Sequence, residues 1–227
     1  MVCDGMGGAA GGRLASQIAT ETFVDELERL LTPGMEPEQL RSVSARAVFA
    51  ANQAVREAAA ESEAYQNMGT TLVAAVSYAG GTVVTNVGDS RAYHIREGIT
   101  RVTKDHSLVE RMVDRGDITA EEARRHPSRN LITRALGPDA DAQCDGYICP
   151  MESGEYLLLC TDGLVNTVTD QEMLFEVIHG AEPDTSLDRM LEIAKKQRRT
   201  GQCDGCADAQ AVREEESHGS VHWKNAG

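Results

Sequence analysis

The order of helix-like and strand-like stretches is the feature that most constrains the fold of this chain. Apolar residues recur at helical spacing up to Thr32-Pro33-Gly34, and a second helical stripe, rich in alanine, follows Pro37. Short β-prone stretches separated by turn signals come next, at 70–79, 82–87, 91–96 and 99–103. Consecutive strands joined by tight turns predict an antiparallel sheet, with the two helices packed on it as an antiparallel pair.

The second half of the chain adds an irregular insert and a further set of strands and helices. Residues 105–137 are polar and irregularly helical, and we expect this insert to lie over one edge of the sheet. Strands and then helices are indicated at 147–149, 155–160, 170–179 and 185–197. Because helices come in pairs and strands in runs, the pattern predicts an α+β domain over residues 1–197.

Charge and composition exclude several classes of function. Lys and Arg number 22 against 36 Asp and Glu, a net charge of −14 with no basic cluster, so we expect no binding to nucleic acid or to an anionic membrane. The longest apolar runs, such as 156–160, are far shorter than the roughly 20 residues that span a bilayer. Six cysteines in 227 residues do not indicate a disulfide scaffold, and together with the absence of a signal sequence they predict a cytoplasmic protein.

Three acidic turns are the candidate sites of chemistry. They are Asp4-Gly5, Gly88-Asp89 and Asp162-Gly163, and the last two directly follow apolar strand-like runs. A carboxylate at the end of a strand is held on rigid backbone, and carboxylate oxygens suit hard divalent cations. An isolated Asp-Gly pair is a common turn, whereas three such turns in separate segments favour a metal site.

Five segments carry a resemblance to a known family: VCDGMGGAAGGRLAS, GTTLVAAV, TNVGDSRAYHI, KDHSLV and LLLCTDGLVNTV. In this order, from residue 1 to about 197, they resemble the bacterial branch of the metal-dependent Ser/Thr protein phosphatases of the 2C type. The resemblance implies a central antiparallel β-sandwich flanked by antiparallel helix pairs. It also implies hydrolysis of phosphoserine and phosphothreonine in proteins, in opposition to a Ser/Thr kinase.

The same resemblance implies a set of metal ligands. Asp4 matches the carboxylate that bridges two Mg²⁺ or Mn²⁺ ions, and Gly5 matches the residue whose backbone oxygen binds one of them. Asp162 matches a ligand of the other ion, and Asp89 a residue of a third, weaker site. The attacking group would be a metal-activated water, so no catalytic side chain is expected, and the matching positions leave the substrate-binding residues unknown.

Cysteine and histidine side chains could also take part in phosphate hydrolysis, but we expect structural roles for those of this chain. Cys3 and Cys160 lack the phosphate-cradling loop of a cysteine-dependent phosphatase, so we expect them to be core residues. His106 is expected to be an exposed polar residue of the insert.

Both ends of the chain depart from the family pattern. The two strands that normally precede the first Asp-Gly, with a phosphate-binding Arg and an acidic metal partner, have no counterpart here. After Arg198 the family turn Gly-Gly-x-Asp-Asn and a last apolar strand are replaced by polar sequence. A reading frame shifted by one nucleotide can encode Gly-Gly-Gln-Asp-Asn-Val-Thr-Val-Val-Leu there. We therefore expect residues 198–227 to be an aberrant, disordered tail outside the domain, and the chain as given to be poorly active and poorly stable.

Two alternatives remain open on the sequence alone. One is a catalytically impaired, phosphatase-like module that binds a protein partner and keeps only part of the metal site. The other is a zinc or dithiol protein built on Cys203 and Cys206, although no second cysteine pair follows them.

Overall fold

The fold is described from a computed structural model, which covers residues 1–180, 183–199 and 209–213. Its helices are α1 (Gly8–Leu30), α2 (Pro37–Ala60), α3 (Leu108–Arg115), α4 (Ala120–Arg125), α5 (Asp162–Val165), α6 (Asp170–His179) and α7 (Pro183–Arg199). Its strands are β1 (Gly5–Met6), β2 (Gly69–Thr70), β3 (Leu72–Tyr78), β4 (Gly81–Val87), β5 (Arg91–Ile95), β6 (Ile99–Arg101), β7 (Asp145–Pro150), β8 (Tyr156–Cys160) and β9 (Ala209–Arg213).

Two antiparallel sheets face each other at the centre of the structure. One has the strand order β3-β4-β7 and the other β6-β5-β8-β9, while β1 and β2 form a short separate pair. Apolar side chains from both sheets pack together between them, among them Val73, Val84, Ala92, Leu157 and Leu159. The predicted fold class, an α+β domain with a central antiparallel β-sandwich, is confirmed.

A helix pair covers the outer face of each sheet. Phe23 of α1 and Val55 of α2 pack with Leu72 of the first sheet, and Met173 of α6 and Met190 of α7 pack with Leu158 of the second. The sequence predicted both pairs because their apolar residues follow the helical period. Among the residues that the structure describes, no helix combines the length and apolar character needed to cross a membrane.

The insert between β6 and β7 begins and ends on the body of the fold. Near its start, the His106 backbone N–H donates to the Gly88 carbonyl at 2.9 Å, and at its end Leu136 exchanges two backbone hydrogen bonds with Thr70 of β2, at 2.9 and 3.0 Å. The two short helices α3 and α4 lie between these attachment points. The insert is thus a loop whose two ends are fixed beside the sheet ends.

The C-terminal part of the chain differs from the sequence prediction of a tail outside the domain from residue 198. Helix α7 continues to Arg199, and β9 pairs antiparallel with β8 from Ala209 to Arg213. Strand β8 would otherwise leave backbone groups unpaired on that side, and almost any sequence can satisfy them through its own backbone. Cys203 and Cys206 lie outside the described residues.

Replacing Asn52 by Ala should destabilise the fold, because this side chain fixes the end of the insert to α2. The buried Asn52 accepts a 2.8 Å hydrogen bond from the Gly137 N–H and donates to the carbonyls of Asp139 and Ala140. We expect Asn52→Ala to lower the free energy of unfolding by about 2 kcal/mol, because a buried backbone N–H loses its partner. Urea unfolding measures the change, with Gln53→Ala on the same helix as the matched control. Equal stabilities of the two variants would contradict this role.

Candidate metal centre

Strand register places Asp89 and Asp162 at the same end of the second sheet. Arg91 is paired with Cys160 where β5 begins and β8 ends. Asp89 precedes this pair by two residues, and Asp162 follows it by two. Because the strands are antiparallel, both aspartates lie at the same end of the sandwich. Asp162 is also the first residue of α5, where its carboxylate lies 3.4 Å from the Asn166 amide nitrogen.

The turn that contains Asp4 is tied to the same edge through Thr71. The Asp4 N–H donates to the Thr71 hydroxyl at 3.0 Å, and the Thr71 N–H donates back to the Asp4 carbonyl at 2.9 Å. The same hydroxyl is 2.7 Å from that of Ser90, the neighbour of Asp89. The structure therefore brings the three predicted acidic turns together at one end of the two sheets.

Gly5, the remaining predicted ligand, lies against the N-terminal part of helix α1. A Cβ atom on Gly5 would stand 2.0 Å from the carbonyl oxygen of Gly12, so no residue with a side chain fits at this position. Helix α1 begins at Gly8, inside the glycine-rich run, and the missing side chains allow its first turns to press against β1. Helical periodicity cannot be read through glycine, so the sequence pattern alone does not fix where α1 begins.

Burial and neighbouring carboxylates destabilise the charge on Asp89. Burial is the largest cause, followed by repulsion from Asp162 and then from Asp105, and together they raise the pKa of Asp89 to about 7. Repulsion from Asp162 shows that the two predicted ligands lie within electrostatic reach of each other. A divalent cation between such groups would relieve this unfavourable energy.

His106 is buried at 6% exposure, so the prediction of an exposed polar residue is wrong. The ring Nδ1 of His106 accepts a 3.1 Å hydrogen bond from the Gly88 N–H, and the backbone N–H of His106 donates to the Gly88 carbonyl at 2.9 Å. Beside it, Asp105 binds the guanidinium of Arg91 through both carboxylate oxygens, with a shortest distance of 2.6 Å. Asp105 and His106 thus bind residues on either side of Asp89 in the chain, Arg91 and Gly88. The KDHSLV motif was the available signal, but no local pattern pointed to this partner.

The donors at this end of the sandwich fit a hydrated divalent cation. In the part of the chain that the structure describes, no three His, Cys, Asp or Glu side chains form a ready-made cage. Magnesium commonly binds one or two carboxylates and retains several waters, so a complete cage is not required. Aspartate carboxylates and a backbone carbonyl on fixed turns are also the hard oxygen donors that Mg²⁺ and Mn²⁺ take.

Replacing Asp89 by Asn should stabilise the metal-free protein at high pH. The folded-state pKa is about 7, above the roughly 3.9 of an unfolded Asp, so the penalty on folding grows as the pH rises from about 4 and is complete above about 7. We expect Asp89→Asn to raise the free energy of unfolding at pH 8 by about 2 kcal/mol, and this gain to vanish as the pH falls towards 4. Urea unfolding in chelator at several pH values tests this. A gain independent of pH would show that Asp89 charge is not the cause.

Comparisons with known proteins agree with this geometry. Residues 1–200 match the model of the family described as protein phosphatase 2C. The serine/threonine phosphatase stp of Listeria innocua is 37% identical over 177 residues, which cover 76% of this chain and 69% of that protein.

Solved structures extend the likeness to the fold. The serine/threonine phosphatase Stp1 from Staphylococcus aureus superimposes with a TM-score of 0.84 at 33% identity, over 93% of this chain and 82% of that one. The catalytic domain of PstP in complex with two manganese ions gives a TM-score of 0.73 at 32% identity, over 92% and 84% of the two chains. The family expected from the sequence motifs is confirmed: this chain belongs to the protein phosphatase 2C family.

Proposed function

We propose that this chain hydrolyses phosphoserine and phosphothreonine in proteins, using divalent cations held at the acidic end of the sandwich. The observation that carries the proposal is the convergence of Asp4, Asp89 and Asp162 on one edge, through strand register and the Thr71 hydroxyl. Family membership supplies the class of reaction. The relatives named as phosphatases favour this function over a module that only binds a partner.

Each ligand has a proposed role. Asp4 would contact two cations, the Gly5 carbonyl would bind one of them, Asp162 at the start of α5 would bind the other, and Asp89 would serve a weaker third site. When bound, such cations lower the pKa of water and neutralise the phosphoryl oxygens. We propose Mg²⁺ or Mn²⁺, because the donors are oxygens on rigid turns.

The chain's own residues have two tasks in this reaction. The carboxylates must be fixed before substrate arrives, and the backbone hydrogen bonds between Asp4 and Thr71 do this for the first turn. The turns must also stay open to a phosphorylated side chain, and Asp4, Asp89 and Asp162 are each partly exposed. A phosphorylated protein substrate implies a Ser/Thr kinase that produces it, which we propose as the functional counterpart.

The nearest thiol is a poor candidate for a competing nucleophile. Burial raises the pKa of Cys3, the neighbour of Asp4, to about 11, and raises the pKa of Cys160 to about 12. Both thiols are therefore protonated near neutral pH, whereas the thiolate is the nucleophilic form. Cys160 is fully buried, as expected of a core residue, and Cys3 is partly buried.

Removal of either proposed ligand should weaken metal binding and turnover together. We expect Asp4→Asn and Asp162→Asn each to reduce Mn²⁺ affinity by at least about tenfold, because each removes a charged oxygen donor from a site with few of them. Calorimetric titration with Mn²⁺ and hydrolysis of a phosphothreonine peptide are the measurements. Asp25→Asn on the exposed face of α1 is the control. Unchanged affinity in both ligand variants would exclude this metal site.

Thiol replacement should leave turnover intact. Cys3→Ser keeps a side chain of similar size that can bond to Thr20, as the thiol does, and Cys160→Ala removes the other thiol. We expect phosphopeptide hydrolysis to persist in both variants and to remain dependent on added metal, because the attacking group is water. Loss of turnover in a variant with an unchanged circular dichroism spectrum would mean that sulfur takes part.

A further inference from the structure

The imidazole of His106 is the hub of a buried network that joins the insert to the Asp89 turn. On one side Nδ1 accepts from the Gly88 N–H at 3.1 Å. On the other side Nε2 lies 3.1 Å from the Asp145 carboxylate and 3.0 Å from the guanidinium of Arg134, which itself binds Asp145 at 2.9 Å. Strands β4 and β7 and the end of the insert therefore meet at one ring.

The partners of the ring determine which nitrogen carries the proton. Nδ1 accepts from a backbone N–H, so it must present its lone pair, and the proton lies on Nε2. That N–H then donates to Asp145, while Arg134 donates to the other oxygen of the same carboxylate. The carboxylate thus fixes both the tautomer and the orientation of the ring, as in the second layer of many metal sites.

The ring hydrogen bond to Gly88 acts on a residue whose backbone takes a conformation that favours glycine. Gly88 has a φ of 105°, in the left-handed region, and lies directly between the end of β4 and Asp89. The backbone N–H of His106 and the side chain of Asn86 both donate to the Gly88 carbonyl, at 2.9 and 3.3 Å. The imidazole ring accepts a hydrogen bond from the Gly88 N–H. Without the ring acceptor, the Gly88 N–H would be a buried donor without its present partner, and hydrogen bonds would hold Gly88 through its carbonyl alone.

We propose that His106 is a positioning residue of the metal centre: its Nδ1 holds the Gly88 N–H and so fixes the Asp89 turn in the geometry that receives a cation. Asp145 acts through the ring by holding its orientation, and Arg134 acts by holding the Asp145 carboxylate. The inference rests on the proposed function for its link to metal binding, but the hydrogen bond itself can be tested in the metal-free protein. His106 belongs to the insert, so the hydrogen bond from its ring to Gly88 also joins the insert to the Asp89 turn.

A matched pair of variants tests the acceptor. In His106→Asn, the side-chain oxygen can stand near the place of Nδ1, whereas His106→Leu has a similar volume and no acceptor. We expect His106→Leu to expose the Gly88 amide to hydrogen exchange in the metal-free protein and to weaken Mn²⁺ binding by about tenfold. His106→Asn should restore most of both. His94→Leu is the control, because His94 is a partly buried histidine of β5 that pairs with Glu155 and not with the Asp89 turn.

Amide exchange by NMR and calorimetric Mn²⁺ titration give two independent readouts. Equal behaviour of the Leu and Asn variants in both measurements, or an effect of His94→Leu as large as that of His106→Leu, would overturn the positioning role. If His106→Leu fails to fold, Asp145→Ala takes its place, because it removes the partner of the ring at a partly exposed site. We expect Asp145→Ala to speed exchange of the Gly88 amide and to lower the affinity for Mn²⁺. Wild-type protein that binds no Mn²⁺ would refute the proposed function, whereas the Gly88 exchange result would still stand alone.

Discussion

The buried hydroxyl of Thr71 is the contact on which the geometry of the acidic end depends. It accepts from the Asp4 N–H and pairs with the hydroxyl of Ser90, so it joins the first acidic turn to the one that contains Asp89. Both hydroxyls are almost completely buried, where a hydrogen bond is costly to leave unmade. Because Thr71 directly precedes β3 and Ser90 directly precedes β5, this pair also fixes the two sheets relative to each other at that end.

The sandwich places like charges together at an energetic cost that its core offsets. Asp89 is partly buried beside Asp162 and Asp105, which is why its charged form is unfavourable. Asp105 is compensated by Arg91, and the surrounding strands are filled by fully buried apolar residues such as Leu157 and Leu159. An unfavourable cluster held in place by a stable core is the general arrangement of a preorganised site, because the donors cannot relax away from the ligand.

Elements whose signals are local could be predicted from the sequence. Helix α6 spans Asp170–His179 as expected, because its apolar residues follow the helical period and Thr169 with Glu172 forms a capping box at its start. The hairpin between β3 and β4 was also predictable from Gly80-Gly81, although the turn lies one residue earlier, at Ala79-Gly80, where Gly80 takes a positive φ. The acidic turns were found for the same reason: each is a short motif, and the turns with Asp89 and Asp162 directly follow apolar strands.

Features that depend on distant partners could not be predicted from the local pattern. His106 lies in a polar insert and looked exposed, yet its ring is buried because Gly88 and Asp145, 18 and 39 residues away, both need a hydrogen-bond partner there. The strand at 209–213 has the same origin, since β8 offers a row of backbone groups whose demand does not depend on the partner's side chains. In both cases the local structure depends on hydrogen-bond donors and acceptors elsewhere in the chain that need a partner. Hydrophobic periodicity gives no information about such distant partners.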